Sequence, residues 1–233
     1  MIFYLFLSLL TAFANELEPV QVHGSMSASK VELNSYSSCV KVLINYGGHG
    51  SGTLISIGKY KFVLTAKHVV ENVPIQAIEI DGRIVGSRTV YNHLLSDIAV
   101  LWIDPKEDWV PDGIKWKTES KIFPGQEIVL TSFPGNSIKS LTHGNVASDE
   151  PDESGEILIY SNSWPGSSGG AVFSPRGRII GVVTGILVET NPLDISKLVI
   201  LENTVSIAPV HDISERDILK GVQSLIDEHT EKD

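Results

Sequence analysis

The sequence predicts an all-β protein: two six-stranded antiparallel β-barrels followed by a C-terminal helix. Three observations predict it. Short runs rich in Val, Ile and Thr recur from Ser38 to Ile207, with turn residues between them. The runs fall into two sets of six, and six strands are what one antiparallel barrel needs. Asp104 to Lys121, with Pro105, Pro111, Gly113 and several charges, separates the sets.

The first set is Val40–Tyr46, Thr53–Ile57, Phe62–Thr65, Ile75–Ile80, Arg83–Tyr91 and Ile98–Ile103. Gly47-Gly48, Gly58-Lys59 and Asp81-Gly82 lie between runs, and Asp-Gly between apolar runs is a strong hairpin signal. The second set is Glu127–Ser132, Ile138–Val146, Ile157–Ser161, Ala171–Phe173, Ile179–Leu187 and Leu198–Ile207. In the tail, Ile218, Leu219, Val222, Leu225 and Ile226 recur at helical spacing, with Ser214 as an N-cap. The expected organisation is a signal peptide over 1–14, a leader over 15–36, a first lobe over 37–104 and a linker over 105–121. A second lobe over 122–210 and a helical tail over 211–233 complete it. Trp109 and Trp116 of the linker are expected to pack against the barrels.

The chain has 233 residues, enough for a sizeable core in one large domain or two small lobes. Its formal net charge of −10 disfavours nucleic acid and anionic membrane as partners. The apolar run Ile2–Phe13, ending in the small-x-small site Ala12-Phe-Ala14, reads as a secretory signal, although no Lys or Arg precedes it. The run is too short to span a bilayer, which takes roughly 20 residues. Cys39 is the one cysteine, so no disulfide forms within the chain, and its context reads as a buried small apolar residue.

The chemistry concentrates in Ser163-Trp-Pro-Gly-Ser-Ser-Gly-Gly170. Its glycines permit a tight turn that presents Ser168 and aims the N–H groups of Gly166 and Ser168 at one point. An acyl-transfer nucleophile needs that arrangement: a hydroxyl that attacks and two donors that hold the oxyanion. A serine also needs a base and a carboxylate. His68 ends the apolar run Phe62–Thr65 plus Ala66-Lys67, and Asp97 stands at the mouth of another apolar run. Gly166–Gly170 also satisfies Gly-x-Ser-x-Gly, the nucleophile elbow of α/β-hydrolases. That reading needs a helix after the serine and the order serine, acid, histidine; here an apolar β pattern follows the serine, and the only later histidines, His211 and His229, lie in the polar tail.

With the order His68, Asp97, Ser168, the sequence resembles the chymotrypsin-like (trypsin-like) serine proteases, and within them the HtrA-type bacterial branch. The matching stretches are Gly50-Ser-Gly-Thr-Leu-Ile55, Leu64-Thr-Ala-Lys-His-Val69, Ser96-Asp-Ile-Ala-Val-Leu101, Pro165-Gly-Ser-Ser-Gly-Gly170 and Ile180-Gly-Val-Val-Thr-Gly185. The resemblance implies a chymotrypsin-like fold and a serine endopeptidase with His68 as base, Asp97 as its orienting carboxylate and Ser168 as nucleophile. It implies an oxyanion hole from Gly166 and Ser168. It puts the floor of the substrate pocket at Asn162 and a wall and substrate-pairing strand at Thr184, Gly185 and Ile186. Asn162 carries no charge to select Arg or Lys, and Ile186 shortens the pocket, so cleavage after a small or medium aliphatic residue is expected.

Ser167 stands where trypsin-type enzymes carry an aspartate that pairs with a freed N-terminus, so activation by that route is not expected. No peptide-binding domain is expected after the second lobe. The chemistry needs no cofactor and no metal. The expected partners are protein or peptide substrates, the expected location is secreted or periplasmic, and an oligomer is open. A catalytically silent binding module of the same fold is the alternative reading, and a viral-type processing protease a third. The acidic loop Ser148–Glu156 reads as a solvated hairpin tip, with a calcium site or a selector of basic substrate residues as alternatives.

Overall fold

A computed structural model of the chain describes residues 28–230 except 45–46, 72–74, 136–137 and 192–193. The expected signal peptide and residues 15–27 of the leader lie outside the described residues. The first described element is helix α1 (Lys30–Ser38), within what the sequence analysis takes as leader and the start of the first lobe. A capping box opens it: Ser29 Oγ accepts from the Glu32 N–H at 3.2 Å, and the Ser29 N–H donates to Glu32 Oε2 at 2.5 Å. The helix docks through buried Ser35, whose hydroxyl accepts from Thr131 Oγ1 at 3.0 Å.

The first lobe holds β1 (Cys39–Leu43), β2 (His49–Ile57), β3 (Tyr60–Thr65), helical turn α2 (Lys67–Val70), β4 (Gln76–Ile80), β5 (Arg83–Asn92) and β6 (Ala99–Ile103). The order β1-β4-β5-β6-β3-β2 closes through a β1–β2 pairing into a six-stranded antiparallel barrel. A two-residue strand, β7 (Ile114–Lys115), adds to β2 in parallel. It lies in the predicted linker, which is thus stitched to the first lobe. Trp116 is buried in the core there, and Arg83 stacks 3.7 Å over the half-buried Trp109 ring.

The second lobe holds β8 (Glu127–Ser132), β9 (Ser140–Ser148), β10 (Ile157–Tyr160), β11 (Ala171–Phe173), β12 (Ile179–Asn191) and β13 (Asp194–Pro209). These close into a second six-stranded antiparallel barrel, β10-β13-β12-β11-β8-β9. The β12–β13 hairpin is longer than its apolar runs, because backbone pairing continues to Asn191 and Asp194. Helix α3 (Glu215–Thr230) packs Ile218 and Val222 into the first lobe's core.

β4 alternates, with Gln76, Ile78 and Ile80 buried between half-buried neighbours. The central strands are buried on both faces: Phe62, Val63 and Leu64 of β3 lie with Leu54, Ile78 and Leu101, all essentially without exposure. Each fully buried side chain of this size contributes about 1.5–3 kcal/mol from burial. A separate cluster, centred on Ile128, Leu130, Ile159, Ile180 and Ile207, fills the second barrel. Cys39 is buried at the start of β1, and burial pushes its thiol up to about 12, so it stays protonated and unreactive. No described helix is long and apolar enough to cross a membrane.

Candidate active site

His68 lies in α2, the helical turn after β3. Val69 and Val70 are buried beneath it and fix the turn on the barrel. Asp97 precedes β6 on a loop that folds over His93. His93 Nδ1 accepts from the N–H groups of Ser96 at 2.8 Å and Leu95 at 3.3 Å. The proton therefore sits on Nε2, which donates to Asp212 Oδ2 at 3.2 Å. Across the loop, the His93 N–H donates to the Ile98 carbonyl at 2.9 Å. Sequence reasoning missed His93 because its partners are backbone groups and a remote aspartate.

The two loops meet. His68 Nδ1 donates to Asp97 Oδ2 at 2.5 Å, and the His68 backbone N–H donates to Asp97 Oδ1 at 2.8 Å. Both carboxylate oxygens thus hold the same residue, one through the ring and one through the backbone. This fixes the tautomer with Nε2 free to accept a proton. The Asp97 hydrogen bond raises the His68 pKa above its ordinary value; burial opposes this, and the charges of Asp97, Glu156 and Glu71 add to the rise. Burial pushes the Asp97 carboxyl up, but the hydrogen bonds and charge of His68 outweigh it, and its pKa is lowered.

Ser168 lies on the segment between β10 and β11. The Ser51 N–H of β2 donates to the Ser168 carbonyl at 2.7 Å, which ties the serine to the first lobe. A Cβ added at Gly50 would stand 3.0 Å from that same carbonyl and 2.7 Å from Val69, the residue after His68. Ser168 therefore borders the histidine turn. Among the described residues no hydrogen bond joins Ser168 Oγ to His68 Nε2. The N–H groups of Gly166 and Ser168 are likewise given to no acceptor among the described residues.

Backbone geometry explains the glycines. Gly166 has φ +97° and Gly169 has φ +91°, in the left-handed region. A Cβ at Gly169 would also lie 2.0 Å from the Ser51 carbonyl oxygen. Ser167 is buried: its hydroxyl accepts from Ser132 Oγ at 3.1 Å and from the Trp164 N–H at 3.3 Å. A neutral hydroxyl network thus occupies the place where trypsin-type enzymes carry an aspartate. Asn162, the expected pocket floor, is exposed, whereas the neighbouring Ser163 hydroxyl is buried without a partner among the described residues. Thr184, Gly185 and Ile186 lie half-buried on β12, and a Cβ at Gly185 would meet open space. The acidic loop folds on itself, with Asp152 Oδ1 accepting from Ser154 and Glu156 N–H groups at 2.8 and 3.0 Å. Its end, Glu156, accepts from Ser206 Oγ on β13, across from Gly185.

Two antiparallel six-stranded barrels, with a His–Asp pair on one and a glycine-rich serine loop on the other, define the chymotrypsin-like class. The trypsin-like peptidase domain family matches residues 50–182, and the chain belongs to that family. It is similar to the probable periplasmic serine protease do/HhoA-like of Haemophilus influenzae, 27% identical over 151 residues covering 61% of this chain and 32% of that protein. It is also similar to the periplasmic serine endoprotease DegP of Escherichia coli, 30% identical over 145 residues covering 59% of this chain and 30% of that protein. The chain thus matches less than a third of the length of these curated relatives. Among solved structures, the serine endoprotease from Yersinia pestis is similar with TM-score 0.63 and 21% identity, covering 84% of this chain and 68% of that one. The HtrA-type protease AlgW with tripeptide is similar with TM-score 0.62 and 20% identity, covering 85% and 63%. These neighbours share the two-barrel fold.

Proposed function

We propose that the chain is a serine endopeptidase that hydrolyses peptide bonds through an acyl-enzyme on Ser168. The observation that carries this reading is the double hydrogen bond from His68 to Asp97, which leaves Nε2 as the free basic atom of the ring. In the reaction, Ser168 Oγ attacks the scissile carbonyl carbon while His68 Nε2 takes the hydroxyl proton. The carbonyl oxygen becomes an oxyanion, which the N–H groups of Gly166 and Ser168 receive. His68 then gives its proton to the leaving amine as the C–N bond breaks. Water, deprotonated by the same nitrogen, releases the acyl group and restores Ser168. Asp97 keeps its charge throughout and offsets that of the imidazolium.

The half-buried strand Thr184–Ile186 would pair with the substrate backbone as an added strand. Ile186 narrows the pocket beside it, and the reading is cleavage after Val, Ala or Thr. The names of the curated relatives and the signal-like N-terminus support a periplasmic or secreted location. A peptide-library digest tests the reading. Cleavage after aliphatic residues, abolished in Ser168→Ala, is the expected outcome. Preference for Arg or Phe would overturn the pocket assignment, and cleavage surviving in Ser168→Ala would overturn the mechanism.

A further inference from the structure

The Gly50-Ser51-Gly52 segment of β2 is pressed between the serine loop and the first barrel. A Cβ at Gly52 would stand 2.5 Å from Val63 Cγ1, as one at Gly50 would crowd Val69 and Ser168. Only glycine fits on either side of Ser51. The residue between them is fully buried, and all of its polar groups are engaged. Its carbonyl accepts from Thr65 Oγ1 at 2.7 Å. Its N–H donates to the Ser168 carbonyl at 2.7 Å. Its hydroxyl donates to the Gly166 carbonyl at 2.7 Å and accepts from the Phe133 N–H at 2.8 Å.

Gly166 and Ser168 are the two residues whose N–H groups form the proposed oxyanion hole. Ser51 holds the carbonyl of each. A carbonyl fixed in place fixes the plane of the peptide that follows it and limits rotation about the residue that carries it. The Gly166 φ of +97° is a conformation that a glycine can leave easily, so something must hold it. Other braces hold the neighbouring peptides. The Gly135 N–H donates at 2.7 Å to the Pro165 carbonyl, which shares its peptide plane with the Gly166 N–H. His49 Nε2 donates to the Phe133 carbonyl at 3.0 Å, which steadies the Phe133 N–H that in turn orients the Ser51 hydroxyl.

We infer that Ser51 is a positioning residue for catalysis: its hydroxyl, from the first lobe, holds the Gly166–Ser167 peptide, which links the two residues that carry the oxyanion N–H groups, and so keeps those two N–H groups aimed at one point. This rests on the proposed endopeptidase reading. Preorganised donors of this kind act in the transition state and contribute little to ground-state binding. Without the hydroxyl, the Gly166 carbonyl and the Phe133 N–H lose a partner in a buried place, and the loop gains an incentive to turn. Ser51→Ala keeps the backbone bond to Ser168, so it removes the hydroxyl term alone.

The test compares Ser51→Ala, Ser51→Cys and Ser51→Thr with the wild-type chain. Cys fills the space but donates weakly, and Thr keeps the hydroxyl. The measurements are kcat and KM on a peptide amide, the inhibition constant of a matching peptide aldehyde, the pH profile, and the fluorophosphonate labelling rate. In Ala and Cys the account expects kcat to fall about 10- to 100-fold, KM to stay within about twofold, and aldehyde affinity to fall with kcat. The acid limb of the pH profile stays in place, because His68 and Asp97 are untouched, and Thr restores most of the lost rate. Folded Ala and Cys variants with wild-type kcat would overturn the role of Ser51, as would a KM increase with kcat unchanged. If the Ala variant does not fold, the Cys and Thr pair decides, equal kcat in the two counting against the inference. A wild-type chain that takes no fluorophosphonate would instead remove the endopeptidase reading itself, and this inference with it.

Discussion

The two halves of the candidate site are built differently. The base half is local to the first lobe. His68 and Asp97 stand 29 residues apart on neighbouring strand ends and already share two hydrogen bonds. The nucleophile half is assembled from a distance. The Ser163–Gly170 loop is held by Ser51, by Ser132 and by Gly135, with Ser168 Oγ joined to no described base. The comparison teaches that the electrostatic part of the site is set first by the His68–Asp97 pair within one barrel, with the Glu156 charge of the other adding to it, whereas its geometric part depends on the seam between barrels. Changes in the base half should move proton affinities. Changes in the serine loop and its braces should move turnover while leaving the pH profile in place.

The largest expected effect is on the base half. Asp97→Asn should lower kcat/KM by about 10⁴-fold, since the asparagine favours the wrong tautomer of His68. Steady-state kinetics on a folded variant check this, and a loss below tenfold would break the assignment of Asp97. Next is Gly169→Ala in the nucleophile half. Its Cβ would run into the Ser51 carbonyl at 2.0 Å and its φ of +91° opposes a side chain. The expected cost is about 2–4 kcal/mol of stability by chemical denaturation, together with loss of turnover. Ile186→Gly should then deepen the pocket and shift cleavage preference toward Leu and Phe, read from a peptide library. An unchanged preference would move the pocket wall elsewhere.

The smallest effect is a pH shift. His68 must be neutral to take a proton, and its pKa is raised, first by the Asp97 hydrogen bond and further by charges that include Glu156. The acid limb of kcat/KM therefore lies above the ordinary histidine value. Glu156→Gln removes one of the negative charges, so the limb should move to lower pH. A shift to higher pH would contradict the proximity of Glu156 to the base.

Much of the barrel architecture was legible because buried strands write short apolar, β-branched runs into the sequence. Phe62, Val63 and Leu64 are one such run, all buried, and the observed β3 starts two residues before the run read for it. What escaped was structure without an apolar signature. Helix α1 has a polar sequence and a weak apolar stripe, and its one signal, Ser29 and Glu32 at capping-box spacing, lies in a stretch read as leader. Strand β7 is two residues long and pairs by backbone alone. His68, Asp97 and Ser168 were singled out from motif and order, and the structure joins the first two by two hydrogen bonds. The braces were not. Ser51 meets the Gly166 carbonyl across 115 residues and His93 meets Asp212 across 119, contacts between polar side chains and remote groups that no local pattern records.

The most direct test of the endopeptidase account is intact-mass analysis of the chain after reaction with a fluorophosphonate probe, beside Ser168→Ala. The account predicts one adduct on the wild-type chain and none on the variant, because only a serine paired with a base and an oxyanion hole reacts at a useful rate. A folded wild-type chain that takes no adduct, or a variant that still takes one, would contradict it and leave a binding module on the same two barrels.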